Sequence, residues 1–397
     1  MSALDNTSDS SSCGQAESRR TQDRKNSSSL LTGAFQITGE QTNTSIVLPN
    51  LIMAGAPNGV ITKVLRYPAP VPHPDVEVPR ALHRVGYHGV PKALGFTTAE
   101  LPDGEVVTTS IASELIPDAE DGFELACAFA RNNKSFASHA EKLGETIAQL
   151  HNALAIAFPV TTMRNPADFV GHLHMRAENA FTLVPELAGF RGQIAAQYDS
   201  LRDSAFCESF ASSTQNDAMD VRELSVQRIH GDLHLGQTLF QTGYSTNRSE
   251  ESTESFPVIL RDVRSEEGVE TQKDGQWFVL DFEGEPLRPA DERSKPDFPE
   301  RDVAGMVRSF SYAAAVVAAA LDSATHAQND ARAWEQQATA SFLKGYQKQR
   351  SIDNIVLAAL TLDKALYEAV YEHQHRPTWL HIPIAAIAEL LGKNRVS

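Results

Sequence analysis

A histidine, a glycine and an aspartate follow a short apolar strand near the middle of the chain, and a glutamine lies five residues after the aspartate. Residues 228–237 read Arg-Ile-His-Gly-Asp-Leu-His-Leu-Gly-Gln. Phosphoryl transfer needs a carboxylate that orients the acceptor hydroxyl and takes its proton, together with oxygen ligands for Mg2+. Catalytic loops of this chemistry place these groups five residues apart. We therefore predict Asp232 as the catalytic residue and Gln237 as a magnesium ligand.

A second acidic segment follows another short apolar strand. Residues 277–286 read Trp-Phe-Val-Leu-Asp-Phe-Glu-Gly-Glu-Pro, which places Asp281 where the strand ends. A carboxylate at this point can bridge Mg2+ to the β- and γ-phosphates of ATP. We predict Asp281 as a second magnesium ligand and Glu283 as a ligand of a second metal ion.

Together the two segments resemble the aminoglycoside phosphotransferase-like branch of the protein-kinase-like fold. Three further stretches make the chain similar to the bacterial maltokinase family: Arg-Asp-Val-Ala-Gly-Met at 301–306, Asp-Lys-Ala-Leu-Tyr-Glu at 363–368 and Arg-Pro-Thr-Trp-Leu at 376–380. The resemblance covers roughly residues 35–393. It extends almost as well to the related glucosamine kinases.

The resemblance implies an α+β, bilobal fold, with a small β-rich N-lobe and a large helical C-lobe, and ATP and Mg2+ as cofactors. Maltokinases phosphorylate the anomeric hydroxyl of maltose, giving maltose 1-phosphate for α-glucan and glycogen synthesis. We therefore expect a maltose kinase. The alternatives are a glucosamine kinase of the same fold and an inactive, nucleotide-binding pseudokinase. Some relatives are coupled to a trehalose-isomerising enzyme, which is the protein partner that the resemblance implies.

The nucleotide ligands are expected in the small lobe. A strand lysine and a helix glutamate form the candidate phosphate-anchoring ion pair, a Thr- and Ser-rich turn takes the place of a Gly-rich phosphate loop, and the hinge meets adenine. These candidate residues are Lys63 and Glu77 for the ion pair, Gln41 and Ser45 for the turn, and Glu114 and Ile116 for the hinge.

The sugar site is expected on the helical lobe, near Asp232 and His234. Five polar or aromatic residues recur at helical spacing and share one helix face. With a tryptophan that could stack on a sugar ring, they are Lys364, Tyr367, Glu368, Tyr371, Glu372 and Trp379. Two alternatives stay open: Lys364 and Glu368 could form an i, i+4 surface pair, and the aromatic residues could belong to the core.

Structural roles are predicted for His230, Arg301 and Asp302. His230 and His234 are four residues apart, as in some zinc enzymes, but the glutamate of such motifs is missing between them. We therefore expect His230 to brace the catalytic loop. Asp302 follows Pro299 and precedes a helix, which suits an N-cap; in kinase-like folds an aspartate here also bonds the backbone of the catalytic loop.

These groups must be positioned by a β-rich lobe at 33–115 and a helical lobe at 116–397. The first lobe has predicted strands at 45–48, 60–65 and 105–109 and one helix at 75–84. In the second, a hairpin of strands 226–229 and 277–280 separates two helical blocks. Its predicted helices cover 122–132, 138–157, 166–183, 190–206, 302–324, 330–349, 352–374 and 384–391.

Two segments depart from the family pattern. Residues 1–32 have the composition of a disordered leader, where maltokinases carry a folded cap. Residues 241–276 form an acidic ribbon inserted into the hairpin, and we assign it no chemistry.

Composition excludes other classes. The net charge of −16 argues against nucleic-acid binding, which needs a basic face. Three cysteines are too few for a disulfide framework or a zinc site. The first thirty residues contain no apolar run, and the longest apolar stretch, at 312–321, is too short to span a bilayer. We expect a cytoplasmic enzyme with a small-molecule sugar substrate and no membrane partner.

Overall fold

The computed structural model describes residues 31–37, 43–163, 166–205, 224–243, 275–320 and 325–393. Nearly all of the predicted leader and most of the predicted ribbon lie outside these residues. The chain divides into two compact units. One comprises Met1–Arg80 with Pro91–Pro117, and the other comprises Ala81–Val90 with Asp118–Ser397.

The first unit is built on an antiparallel sheet of five strands in the order β1-β2-β3-β5-β4. The first part of helix α1, up to Arg80, also belongs to this unit. Its Val76 packs with Leu65 and Ile111 of the sheet. The elements are β1 (Phe35–Gln36), β2 (Thr44–Leu48), β3 (Val60–Pro70), α1 (Pro74–Arg84), β4 (Ala93–Glu100) and β5 (Val106–Glu114). We did not predict β4, because it is an edge strand with mostly exposed residues and few β-branched ones.

The second unit is largely helical. Its helices are α2 (Gly122–Arg131), α3 (Ala137–Ala157), α4 (Pro166–Leu183), α5 (Arg191–Ala205), α6 (Ala290–Arg293), α7 (Glu300–Ala320), α8 (Thr325–Gln347), α9 (Asn354–His375) and α10 (His381–Lys393). Helix α9 lies at the centre, because it packs against α4, α5, α7 and α10. Its inward face carries Leu360, Leu362, Leu366 and Ala369, all buried in the core.

The predicted hairpin of 226–229 with 277–280 is wrong. Strand β8 (Leu224–Val226) pairs with β7 (Thr161–Met163). The partner of β10 (Gly275–Val279) is β9 (Thr238–Thr242), which also pairs with β6 (Ala119–Asp121). Past Val226 the backbone makes a single bridge, between Gln227 and Asp297, and enters the catalytic loop. Ile229 is therefore buried by packing rather than in a ladder of strand pairs.

Helix α7 carries charged side chains into the core. Among the described helices it is the one that is apolar and long enough, by composition alone, to cross a membrane, a test that buried core helices also pass. It buries Arg301, Asp302 and Arg308 together with its apolar residues. Buried charges are costly unless they are paired, so their partners identify contacts on which this unit depends.

Helices α3 and α8 cross at a pair of glycines, Gly144 and Gly345. A Cβ atom at Gly345 would overlap the carbonyl oxygen of Glu141, and one at Gly144 would overlap that of Phe342. Glycine at both positions is therefore needed for the two backbones to approach this closely.

We expect Gly345→Ala to lower the free energy of unfolding by about 1–3 kcal/mol, since the added methyl group meets backbone that cannot rotate away. The matched control is Gly171→Ala in α4, where a Cβ would meet nothing within 4 Å. That change should raise stability by roughly 0.5–1 kcal/mol through helix propensity. Urea unfolding followed by circular dichroism measures both, and equal effects of the two substitutions would contradict the packing argument.

Candidate active site

The carboxylate of Asp302 holds the backbone of the catalytic loop. It accepts hydrogen bonds from the amides of His230, at 2.8 Å, and Gly231, at 2.9 Å. Asp302 is the third residue of α7 rather than its N-cap, so that explanation of it is wrong. Burial alone would raise its pKa, but the hydrogen bonds from His151 and from the loop backbone outweigh burial and lower it. The carboxylate is therefore charged where the loop needs an acceptor.

A buried histidine and tyrosine fix Asp302 from the other side. His151 Nε2 lies 3.0 Å from Asp302 Oδ2, and Nδ1 lies 2.7 Å from the hydroxyl of Tyr346. Because the ionised carboxylate can only accept, Nε2 of His151 carries a proton, and Nδ1 forms a hydrogen bond with the Tyr346 hydroxyl. Sequence reasoning missed this pair, since its members lie 195 residues apart on two different helices.

His230 joins the catalytic loop to the segment that begins at Asp281. Its Nε2 donates to the carbonyl oxygen of Leu280 at 2.7 Å, and its Nδ1 accepts from the amide of Asp232 at 3.3 Å. Both ring nitrogens are thus engaged, which leaves none for zinc. The ring nitrogen Nδ1 of His234 accepts from the amide of Gly236 and caps the short turn Leu235–Gln237. Burial lowers the pKa of His234, which keeps its imidazole neutral.

Asp232 is held by a lysine from α9. The Nζ atom of Lys364 lies 2.9 Å from Asp232 Oδ1 and 2.7 Å from Glu285 Oε1. The predicted surface pair of Lys364 with Glu368 is therefore wrong, because the lysine turns inward to the loop. Among the described residues, no hydrogen bond reaches Asp232 Oδ2. One carboxylate oxygen is thus fixed, and the other can receive an acceptor hydroxyl.

Oxygen ligands suitable for a magnesium ion surround Asp281. The amide of Gln237 lies 3.3 Å from Asp281 Oδ2, and a carboxylate oxygen of Glu283 lies within 4.8 Å of one of Asp281. A half-turn of the Gln237 amide puts its carbonyl oxygen in the place of its nitrogen. Asp281 also has a φ of +61°, a conformation that non-glycine residues adopt at a cost and that clusters at functional sites. This donor set fits Mg2+, which takes hard oxygen ligands.

Glu285 is a buried acidic residue that sequence reasoning did not single out. Its second oxygen, Oε2, lies 2.8 Å from Arg288 Nε. Burial alone would raise its pKa, but the charges of Lys364 and Arg288 outweigh burial and lower it to about 2. A series of ion pairs continues beyond Arg288, in which acidic and basic side chains alternate. The further members, in contact order, are Asp297, Arg301, Asp363 and Arg176. Arg301 is thus paired with Asp297 and Asp363, and its structural role stays a prediction.

The predicted sugar face of α9 is turned toward α7. Glu368 pairs with Arg308 at 2.8 Å, and burial raises the pKa of Glu368. Glu372 accepts from Arg376 at 2.8 Å and from the hydroxyl of Tyr312 at 3.2 Å. The structure thus brings both glutamates to one side of α9, each with an arginine.

The aromatic residues of this face are partly buried rather than core. Tyr367 lies beside Lys364, whose Nζ is 4.7 Å from the ring centroid. The guanidinium of Arg376 lies over Trp379, at 4.8 Å, and over Tyr371, at 5.4 Å. The ring of Tyr371 also stacks on His375. Their role as sugar ligands stays a prediction.

In the first unit, the lysine of the predicted ion pair contacts a different acid. Lys63 Nζ lies 2.9 Å from Asp75 Oδ2. Glu77 is exposed, whereas Asp75, in the first turn of α1, is partly buried. The predicted pairing with Glu77 is therefore corrected to Asp75. Ser45 lies opposite Lys63 in the β2–β3 register.

The remaining nucleotide candidates lie at the two ends of this unit. Gln41 is outside the described residues. At the hinge, the amides of Glu114 and Leu115 bond the carbonyls of Lys92 and Gly59, and the Glu114 side chain accepts from the amide of Lys92. These bonds leave the amide of Ile116 as the next backbone donor in the segment.

Known proteins resemble most of the chain. No protein-family model matches the sequence. A glucosamine kinase of Mycolicibacterium smegmatis is 25% identical over 380 residues, 91% of this chain and 80% of the relative. A glucosamine kinase of Streptacidiphilus jiangxiensis is also 25% identical, over 91% of this chain and 75% of the relative. A solved glucosamine kinase in complex with glucosamine, ADP and inorganic phosphate superposes with a TM-score of 0.64 at 22% identity, covering 92% of this chain and 81% of its own. The predicted kinase-like α+β fold is therefore confirmed.

We expect Asp302→Asn to lower the free energy of unfolding at pH 7 by about 1–3 kcal/mol, since buried loop amides lose an acceptor. Because folding lowers the pKa of Asp302, its contribution is present above the unfolded-state pKa and is lost as the pH falls through the folded-state pKa.

Urea unfolding from pH 7 down to pH 3 should therefore show the difference between wild type and variant shrinking at acid pH. The control is Glu389→Gln, which breaks an exposed pair with Arg332 and should change stability by less than about 1 kcal/mol. A difference that stays constant over this range would contradict the assigned charge state.

Proposed function

We propose that this protein is a glucosamine kinase, which transfers the γ-phosphoryl group of ATP to a hydroxyl of glucosamine. It is an ATP-dependent phosphotransferase with an alcohol as acceptor, and it uses Mg2+. The observation that carries the proposal is Asp232, held through one carboxylate oxygen by Lys364 in a loop clamped by Asp302. That arrangement suits a base that must meet a hydroxyl in one orientation.

Residues of the second unit have different roles in the proposed reaction. Asp232 Oδ2 accepts the hydrogen bond of the acceptor hydroxyl and takes its proton as the new bond to phosphorus forms. Lys364 fixes the direction of the carboxylate through Oδ1. Gln237, Asp281 and Glu283 would hold Mg2+, which neutralises charge on the phosphoryl group when it is bound with the nucleotide.

We place glucosamine ahead of maltose as the acceptor. The two curated relatives described above are glucosamine kinases that match over most of this chain, and a solved relative of the same fold holds glucosamine. The sequence resemblance to maltokinases keeps maltose as the acceptor to compare. The synthesis of maltose 1-phosphate for glycogen, and a trehalose-isomerising partner, depend on maltose being that acceptor.

A pseudokinase is the less supported alternative. The proposed base Asp232 and the proposed metal ligands Gln237 and Asp281 are all present. The backbone amide of Asp232 is bonded to His230, and the Gln237 side chain is bonded to Asp281. A pseudokinase usually lacks at least one of these groups, whereas this chain has each of them.

We expect ATP consumption with glucosamine to exceed that with maltose, glucose, trehalose or an aminoglycoside. The measurement is a coupled assay of ADP release with Mg2+, with the phosphorylated product identified by mass spectrometry. Turnover on maltose alone would reject the glucosamine proposal and keep the reaction class. Nucleotide binding without turnover on any sugar would instead favour a binding module.

We expect Asp232→Asn to lower kcat by about 10²- to 10⁴-fold, the usual contribution of a positioned general base. The affinity for ADP, measured by calorimetry, should stay at the wild-type value, because the substitution removes the base and leaves the metal ligands. Wild-type kcat in this variant would show that Asp232 is not the base.

A further inference from the structure

Glu285 has the contacts of a residue that orients another side chain. Its side chain is 4% exposed, and each of its two oxygens has a basic partner, Lys364 at 2.7 Å and Arg288 at 2.8 Å. A carboxylate engaged in this way has little capacity left to bind a metal ion or take a proton. Its location, four residues after Asp281, nevertheless brings it to the catalytic loop.

The effect of Glu285 passes through Lys364. A lysine side chain is a flexible stem with a single point of charge, and it takes a fixed direction only when several partners share its protons. Here Nζ lies between Glu285 Oε1 and Asp232 Oδ1 and is 11% exposed. With Glu285 removed, Asp232 would be the one carboxylate left to hold it, and the pair could swing together.

The far side of Glu285 is equally fixed. Arg288 also approaches Asp297 at 3.6 Å, and Asp297 pairs with Arg301 of α7 at 2.5 Å. Contacts through Arg288 and Asp297 thus connect Glu285 to α7, the same helix whose Asp302 bonds the backbone of the loop. One helix therefore sets both the backbone of the catalytic loop and, through four side chains, the direction of its carboxylate.

We infer that Glu285 is a positioning residue that holds Lys364 against Asp232 and so orients the free oxygen of Asp232 toward the acceptor hydroxyl. The inference rests on the proposed kinase function. It assigns Glu285 neither a bond to the metal ion nor a proton-transfer step.

The test variant is Glu285→Gln, whose single side-chain oxygen cannot serve both Lys364 and Arg288. We expect kcat to fall by about 10- to 100-fold, because a misdirected base loses its near-attack geometry. The KM values for glucosamine and ATP should change little. Glu285→Asp keeps the charge but withdraws it by one methylene, and it should lower kcat in the same way without unfolding the protein.

Two further variants separate positioning from general stability. Leu187→Ala removes a buried side chain from the apolar core of the same unit and lies outside the charged network. It should lower the melting temperature, because it leaves a cavity, and keep kcat near wild type. In a Lys364→Met background, Glu285→Gln should cause no further loss of kcat, because residues that act as a unit are not additive.

Equal losses of kcat in Glu285→Gln and Leu187→Ala would overturn the inference, and so would an additive loss in the double variant. If wild type turned over no sugar, the proposed function would fail separately. Crystal structures of wild type and Glu285→Gln would then decide the inference: Lys364 Nζ leaves Asp232 Oδ1 in the variant if Glu285 positions it, and stays if it does not.

Discussion

The buried carboxylate of Asp302 is the constraint on which the rest of the site depends. A catalytic loop has no regular ladder of backbone bonds, so its amides must find acceptors elsewhere when they are buried. Asp302 supplies both acceptors from the first turn of α7, and His151 with Tyr346 fixes Asp302 in turn. Residues of three long helices, α7, α3 and α8, thereby fix the shape of the loop and the position of its Asp232.

Charge inside this unit is tolerated because it alternates. A buried ion costs several kcal/mol unless a partner of opposite sign repays the loss of hydration. From Asp232 through Lys364, Glu285 and Arg288 the signs alternate, and each step is a direct contact. Such a chain resists replacement of any one member, since the neighbours would be left unpaired. It therefore fixes geometry even where it adds little net stability.

The sequence was most informative where the residues of the candidate site lie close together along the chain. Asp232, Gln237 and Asp281 stand in short segments whose spacing predicts their proximity, and the helices followed from apolar periodicity to within a few residues at most of their ends. Contacts distant in sequence could not be predicted in this way. His151 lies in an ordinary helical stretch, and the choice of Asp75 over Glu77 depends on which face of α1 meets the sheet. The strand at 238–242 was missed because it is only five residues long and directly follows the predicted catalytic loop.

In the proposed sugar kinase, selectivity would come from local hydrogen bonds rather than from the acidic balance of the chain. The net charge of −16 would favour a cationic acceptor if it were concentrated at the site. Yet Asp232, Glu285, Glu368 and Glu372 each contact a lysine or an arginine there. An acceptor therefore meets groups already oriented by their partners, which lowers the cost of reorganisation on binding. The carboxylate lone pairs that remain unoccupied would then distinguish an amino group from a hydroxyl group. Their positions depend on the geometry of the site rather than on the total charge of the chain.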